Sequence, residues 1–451
     1  MRRYLPRSWE EQLRPPLDRA TLMRCQAHLK ALLEVVATYL PRGLVQAQLD
    51  RPTPGRSQGQ FHEGTVMFAD VSGFTAMSER FAQAADARAG AEEITEIVNR
   101  YFEAMIGIAQ AYGGDLLKFG GDALLTFYTG PEAALRACQA ALAMQETMDR
   151  QFAQVETSLG PFPLRMSIGL GSGEVFLASL GSVEGMEYAV MGPALAAMGE
   201  AESLAQAGMV ILDRATWEAA GSAIEAHPTA ARGFYHLRQI RRPVPPQRSS
   251  QVTLLPPLDD PARAIHWLVT RLDALTPYLP DELLQRIRPD PHHIEPLDER
   301  RPVTVLFADL YGVEQTVERM GRDQAEVLTD YLDAYFNELR AVVRQYGGVV
   351  NKIGAGPAGP HLMALFGAPR AHEDDPERAV RAALEMREVV PSLRERFPGL
   401  ADRIGTIGIN SGNVFAANVG SATRREYTVM GDEVNLAFRL MTAGQPEEIL
   451  V

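Results

Sequence analysis

An internal repeat constrains this chain more than any motif within it. Tyr39-Leu40-Pro41 returns as Tyr278-Leu279-Pro280, Phe68-Ala69-Asp70 as Phe307-Ala308-Asp309, and Val190-Met191-Gly192 as Val429-Met430-Gly431, each at an offset of 239 residues. Tyr112-Gly113-Gly114 and Lys118 return as Tyr346-Gly347-Gly348 and Lys352 at an offset of 234. Matching Phe366 to Phe127 restores 239, which puts a five-residue insertion in 355–361, the copy of the Gly120-Gly121-Asp122 segment. A chain of 451 residues exceeds what one core holds, so the repeat reads as two related domains.

The seam is Arg241 to Ser250, rich in Pro and Ser and without an apolar period. The expected division is an N-terminal helical segment 1–60, a first domain 61–240, a linker with a pre-domain helix 241–298, and a second domain 299–451. Val451 matches Leu212, so the second copy stops about thirty residues short of the first. The chain therefore reads as a piece of a longer protein or as one with a trimmed second domain, leaving room for further domains beyond Val451. A net charge of −13 argues against a nucleic-acid partner. No apolar stretch is long enough for a signal peptide or a transmembrane segment. Two cysteines, Cys25 and Cys138, make no disulfide framework, and a reducing cytoplasm is the expected location.

Thr65–Ala69 and Val303–Ala308 are apolar runs ending at Asp and read as buried strands. Ile94, Ile97, Val98, Tyr101, Phe102, Met105 and Ile106 recur at helical spacing. Asp115–Phe119 and Ala123–Phe127 form a hairpin around Gly120-Gly121-Asp122. Helices are expected over Pro131–Asp149 and Pro376–Val389, and strands over Arg165–Leu170 and Thr406–Ile409. The order strand, helix, strand, strand, helix, strand predicts an α+β fold, an antiparallel-rich sheet with helices on one face, twice over. Leu29–Leu40 and Ala264–Leu275 are amphipathic helices stopped by Tyr-Leu-Pro, able to pair with each other or to serve as ordinary packing helices.

Asp70 and Asp122 are the chemical centre of the first copy. Carboxylates at two neighbouring strand ends can hold two Mg²⁺ or Mn²⁺ ions. The turn after Asp70, Val71-Ser72-Gly73-Phe74-Thr75, offers backbone N–H groups to phosphate. The second copy keeps Asp309 but has Gly356 or another insertion residue in place of Asp122. It carries instead Asn435 and Arg439, four apart on one helix face, where the first copy has Ala196 and Glu200. A planar, permanently charged Arg suits a phosphoryl group in transfer. Neither copy is complete, and together they make one site if they face each other about a pseudo-twofold.

These motifs resemble the class III nucleotidyl cyclases, most of all the tandem-domain soluble, bicarbonate-responsive adenylyl cyclases, over residues 60–215 and 300–451. The resemblance implies two ferredoxin-like cyclase domains paired as an intramolecular heterodimer, with ATP as substrate and cyclic AMP and pyrophosphate as products. It implies that Asp70, Asp122 and the Val71 backbone bind the metals, that Ser72, Gly73, Phe74 and Thr75 hold the phosphates, and that Asn435 orients the ribose while Arg439 stabilises the α-phosphate. Lys352 and Thr428, with Val429 beside them, occupy the base-reading slots. A pure donor at 352 suits N1 of adenine, and a hydroxyl at 428 can accept from its N6, whereas guanylyl members carry an acidic residue and a Cys there.

A second, degenerate pocket is expected from Lys118, Asp309, Val190, Gly199 and Glu200. The soluble branch binds bicarbonate there with a Lys and an Arg. Lys118 matches the Lys, but the Arg slot is Gly199, so bicarbonate stimulation is expected to be weak or absent. The competing readings are a guanylyl cyclase and a catalytically inactive nucleotide-binding regulatory module. Gly-Gly-Asp also suggests a diguanylate cyclase, but the motif continues Ala-Leu, not Glu-Phe, and that reading is set aside.

Overall fold

The computed structural model describes residues 1–14, 16–82, 87–247, 260–293, 299–368, 370–398 and 404–451, without the side chains of 75, 78, 79, 82–92, 299, 300 and 415–417. Residues 248–250 of the expected seam, and the side chain of Thr75, lie outside that description. The first copy is preceded by α1 (Arg19–Thr38) and α2 (Arg42–Asp50). It then runs β1 (Gln58–Ser72), α3 (Phe74–Ala82), α4 (Ala87–Ala111), β2 (Asp115–Gly120), β3 (Ala123–Tyr128), α5 (Ala133–Thr147), β4 (Arg165–Ser182), β5 (Gly185–Met191), α6 (Pro193–Ser203) and β6 (Val210–Asp213). It closes with α7 (Arg214–Ala220), β7 (Ile224–Pro228) and β8 (Phe234–Ile240).

The second copy is preceded by α8 (Pro261–Leu275) and α9 (Asp281–Ile287). It repeats the order as β9 (Glu299–Asp309), α10 (Val313–Met320), α11 (Ala325–Gln345), β10 (Val349–Gly354), β11 (His361–Phe366), α12 (Asp375–Arg396), β12 (Ile407–Gly420), β13 (Arg425–Met430), α13 (Asp432–Ala443) and β14 (Ile449–Leu450). Both sheets share one path: β2-β3-β1-β4 with β5 on β4, and β10-β11-β9-β12-β13. The α+β class and the antiparallel-rich sheets agree with the sequence expectation. The central strands are longer than their apolar runs, because β1 and β4 pair from Gln58–Ser179 to Ser72–Arg165 and project beyond their own core.

That projection joins the domains. Phe61, Phe176, Ala178, Leu180, Ala189 and Met191 of the first copy lie in one buried cluster with Leu328, Tyr331, Leu332 and Tyr335 of the second. Reciprocally, Val419 is buried in the first copy's core. The pseudo-twofold extends to single hydrogen bonds. The Gly181 amide donates to Asp333 Oδ1 at 2.7 Å, and the matching Gly420 amide to Asn99 Oδ1 at 3.2 Å. The two pre-domain helices do pair: Leu29, Leu32, Leu33 and Val36 of α1 share an apolar cluster with Ile265, Leu268, Leu272 and Leu275 of α8.

Two sequence expectations need correction. The helix expected over Pro131–Asp149 begins at Ala133, after Glu132 in a left-handed conformation. The insertion is four residues, not five. In sheet register Tyr128 faces Thr65 and Phe366 faces Thr304, so Phe366 corresponds to Tyr128 rather than to Phe127. Both rings fill the space over a glycine, Gly114 in one copy and Gly348 in the other. Two aromatic residues in succession at 127–128 concealed the slip.

Arg424, only 4% exposed, ties three segments together. Its guanidinium donates to the carbonyls of Tyr39 (2.9 Å), Leu116 (3.3 Å) and Leu117 (3.4 Å) and lies 5.3 Å from the Phe119 ring centroid. Replacing it by an apolar side chain strands those carbonyls away from water. Arg424→Met is expected to cost roughly 3 kcal/mol of stability, read as a lower urea midpoint, and an unchanged midpoint would contradict this account of the junction.

Candidate active site at the domain junction

Strand β1 alternates Val66, Phe68, Asp70 and Ser72 on one face with Met67, Ala69 and Val71 on the other. Met67, Ala69 and Val71 are buried against α4 and α5, while Val66 and Phe68 face α6 and the second domain. Asp70 therefore emerges on the domain-junction face. Its directly opposite partner on β4 is Ser167, whose hydroxyl donates to Glu202 Oε1 of α6 at 3.0 Å. Asp122 sits in the two-residue turn between β2 and β3, which lies beside β1. The chain leaves β1 through Gly73 at φ +115, where a Cβ would come within 2.6 Å of the Pro163 carbonyl oxygen, so only glycine fits.

Among the described residues the two carboxylates lack a counter-charge. Burial first, then the charges of Asp122 and Glu202, push the Asp70 carboxyl up to about 7, and burial pushes Asp122 up to about 6. Tyr101 of α4, close enough for both carboxylates to raise its pKa further after burial, has a buried hydroxyl with no partner among the described residues. Such a donor set fits divalent cations. Among the described residues no three His, Cys, Asp or Glu side chains group to hold a metal. Two carboxylates suit a cation that keeps several water ligands, as Mg²⁺ does.

In the second domain Lys352 of β10 bridges to the first. Its ammonium donates to the Phe119 carbonyl at 3.1 Å, three residues before Asp122, and to Glu426 Oε1 at 2.6 Å, with Thr428 Oγ1 at 3.4 Å. Burial raises the Glu426 carboxyl, but Lys352 and Arg424 outweigh it and hold the group below its ordinary value. Thr428 and Val429 are buried. Asn435 and Arg439 stand exposed on α13. Phe438 between them packs edge-on to Phe307 (5.4 Å) and to His361 (5.2 Å), which fixes the helix on its sheet. Burial lowers the His361 pKa to about 4, so this imidazole is neutral padding.

The expected degenerate pocket is not assembled. The turn after β10 occupies its place: Pro357 Cα lies 2.8 Å from where a Cβ on Gly199 would stand, and Ala355 is buried with Phe68, Val190 and Met198. Asp309 lies across the strand from His361 and is half-buried, while Glu200 is exposed. Lys118 lines a different cavity of about 80 Å³ on the pseudo-twofold, with Lys352, Glu187, Glu426, Arg424 and both Tyr-Leu-Pro turns. Glu202, Glu426, Tyr101 and His361 did not emerge from sequence reasoning. Glu426 alone left a trace, since Glu187-Tyr188 returns as Glu426-Tyr427 at the 239 offset.

Residues 57–238 and 296–451 match the adenylate and guanylate cyclase catalytic domain. The chain belongs to that family. Cyclase domains of this family bind nucleotide, pair as dimers and are generally dependent on divalent metal. The chain is 28% identical to adenylate cyclase type 10 of Rattus norvegicus over 439 residues, covering 90% of this chain and 25% of that protein. The Homo sapiens protein of the same name gives 28% over 440 residues, with coverage of 90% and 25%. The chain thus spans a quarter of the length of these relatives. A crystal structure of a class III adenylyl cyclase-like ATP-binding protein from Pseudomonas aeruginosa superposes with a TM-score of 0.59 at 14% identity, over 94% of this chain and 90% of that one, a likeness of fold. Among the described residues no helix is long and apolar enough to cross a membrane.

The raised carboxyls of this cyclase domain carry a linkage. Asp70 titrates near 7 when folded against an ordinary 3.8, so between those values the native state holds more protons than the unfolded chain. Stability without metal should therefore fall as pH rises through that window. Divalent cation should reverse the trend, raising the melting temperature more at pH 8 than at pH 5.5, and Asp70→Asn should remove the difference. Equal metal-induced shifts at both pH values would contradict it.

Proposed function

We propose that the chain is an adenylyl cyclase with one catalytic site, built from Asp70 and Asp122 of the first domain and from Lys352, Thr428, Asn435 and Arg439 of the second. The reach of Lys352 across the junction to the Phe119 carbonyl carries this reading. It sets the base-reading lysine one turn away from a metal carboxylate of the other domain. The pseudo-twofold that lays Pro357 on Gly199 supports the rest, because the same operation turns the Asp122 hairpin toward Phe438 and Arg439.

Asp70, Asp122 and the Val71 carbonyl would hold two Mg²⁺ or Mn²⁺ ions, whose chemistry is charge neutralisation and acidification of the ribose 3′-hydroxyl. The backbone of Val71 to Thr75 accommodates the phosphates. Lys352 donates to adenine N1 and the Thr428 hydroxyl accepts from N6, while guanine presents the reverse pattern. Asn435 orients the ribose, and Arg439 offsets charge on the α-phosphoryl group as the 3′-hydroxyl gives its proton to water, its oxygen bonds to the α-phosphorus, the bond from that phosphorus to the α–β bridging oxygen breaks and pyrophosphate departs. The family's representation among long proteins such as the type 10 enzymes supports reading this chain as the catalytic portion of a signalling protein in the cytoplasm.

Cyclic nucleotide production from ATP and GTP with Mg²⁺ or Mn²⁺ tests the reading. Asp70→Ala and Asp122→Ala are each expected to lower turnover by several orders of magnitude while the fold persists. Wild-type turnover in either would sink the assignment. Lys352→Glu with Thr428→Cys should reduce use of ATP by about ten- to a hundredfold, and a preserved ATP preference would mean that the base pocket lies elsewhere. Bicarbonate, titrated at fixed pH, should leave the rate unchanged, since Pro357 closes the space beside Gly199. Strong activation would require that hairpin to move.

A further inference from the structure

We propose that Arg165 is the triphosphate-binding cation of the first domain, taking the β- and γ-phosphates of the nucleotide. This inference rests on the cyclase reading and adds to it a residue that carries none of the motifs. Strands β1 and β4 pair Asp70 with Ser167 and Ser72 with Arg165. Directly opposite residues on antiparallel strands project from the same face with their Cβ atoms about 5 Å apart. Arg165 therefore stands on the face of Asp70, one step further toward the Val71–Thr75 turn and beside the start of α3. The Ser72 hydroxyl donates to the Arg165 carbonyl at 3.4 Å, which confirms that the two residues are adjacent.

Charge makes a cation necessary at that point. Asp70, Asp122 and Glu202 bring three carboxylates to the first domain's side, and a nucleoside triphosphate adds about four negative charges, against four positive charges from two divalent ions. Arg439 belongs to the α-phosphate end. Position 167, directly opposite Asp70, is an uncharged serine that is itself committed to Glu202. Among the described residues, Arg80 and Arg100 at this end lie on the opposite face: Arg80 is 5.4 Å from the Phe162 ring centroid, Arg100 5.6 Å from that of Phe152, and both rings belong to the helix-covered core. Lys118 is buried at the pseudo-twofold axis. Arg165 is exposed and makes no ion pair among the described residues. A guanidinium in that place can grip two phosphate oxygens in parallel, which a lysine does less well.

The test is equilibrium binding of ATP, AMP and inorganic pyrophosphate, with Mg²⁺, to the full chain as wild type, Arg165→Ala and Arg165→Lys. Arg165→Ala is expected to weaken ATP and pyrophosphate by about ten- to a hundredfold and to leave AMP unchanged, with partial recovery in Arg165→Lys. The KM for ATP should rise with the pyrophosphate inhibition constant. Since the side chain is exposed, the urea midpoint should stay at the wild-type value. Unchanged ATP and pyrophosphate binding in Arg165→Ala would overturn the inference while leaving the cyclase reading intact. Equal weakening of AMP would also overturn it, as the sign of a general disturbance. A wild-type chain that binds neither ATP nor pyrophosphate would instead defeat the cyclase reading on which it rests.

Discussion

A buried guanidinium and a set of backbone carbonyls hold the two halves of this chain in register. Arg424 enters from the second domain, and the carbonyls of Leu116 and Leu117 lie on the strand that leads to Asp122. The third, at Tyr39, closes α1. Among the described residues the hydrogen bonds of this guanidinium go to carbonyls, while the buried Glu426 feels its charge from nearby, so the contact has a direction that a simple charge pair would lack. Burying a guanidinium costs several kcal/mol unless each N–H is satisfied, and carbonyls at the end of a fixed strand satisfy it in one geometry. The distance between Lys352 and the Asp122 hairpin follows from that geometry, and with it the width of the cleft.

Around the axis the charges are arranged in near-symmetric pairs. Lys352 with Glu426 has a counterpart in Lys118 with Glu187, and all four line one small cavity beneath the Tyr-Leu-Pro turns. The pairs are not equivalent. Glu426 feels Lys352 and Arg424 and is held low, whereas Glu187 has Lys118 and Arg340 and is still raised by its burial. The first domain has Ala189 where the second has Thr428, so only one of the two lysines has a hydroxyl beside it. The two sides of the cavity differ by a few such substitutions on a shared scaffold.

Much of this was legible in the sequence because duplication supplies an internal control. A carboxylate at the end of an apolar run is ambiguous alone, but Asp70 and Asp309 at one offset mark equivalent strand ends. The exchange of Asn435 and Arg439 for Ala196 and Glu200 at matching positions shows that the two copies are not interchangeable. What remained hidden depends on register and on contacts distant in sequence. The alignment of Phe366 with Phe127 failed because adjacent aromatic residues disguise a one-residue shift that hydrogen-bond pairing reveals at once. Glu202 meets Ser167 only after a helix folds back over the sheet. Arg165 acquires meaning only when β4 is laid against β1, since nothing in its own neighbourhood resembles a phosphate site.

The enlarged turn at 355–360 has a consequence for how the duplicated halves can drift apart. In a symmetric pair every surface serves two clefts, so a change that improves one is copied into the other and both constrain it. A loop that fills one cleft from within ends that obligation. Gly199 can pack on Pro357, Glu200 can face solvent, and neither needs to remain compatible with a nucleotide. The occupied cleft becomes part of the interior, contributing apolar contacts at Ala355. The enlarged turn thus serves as mortar between the halves rather than as the wall of an open cleft.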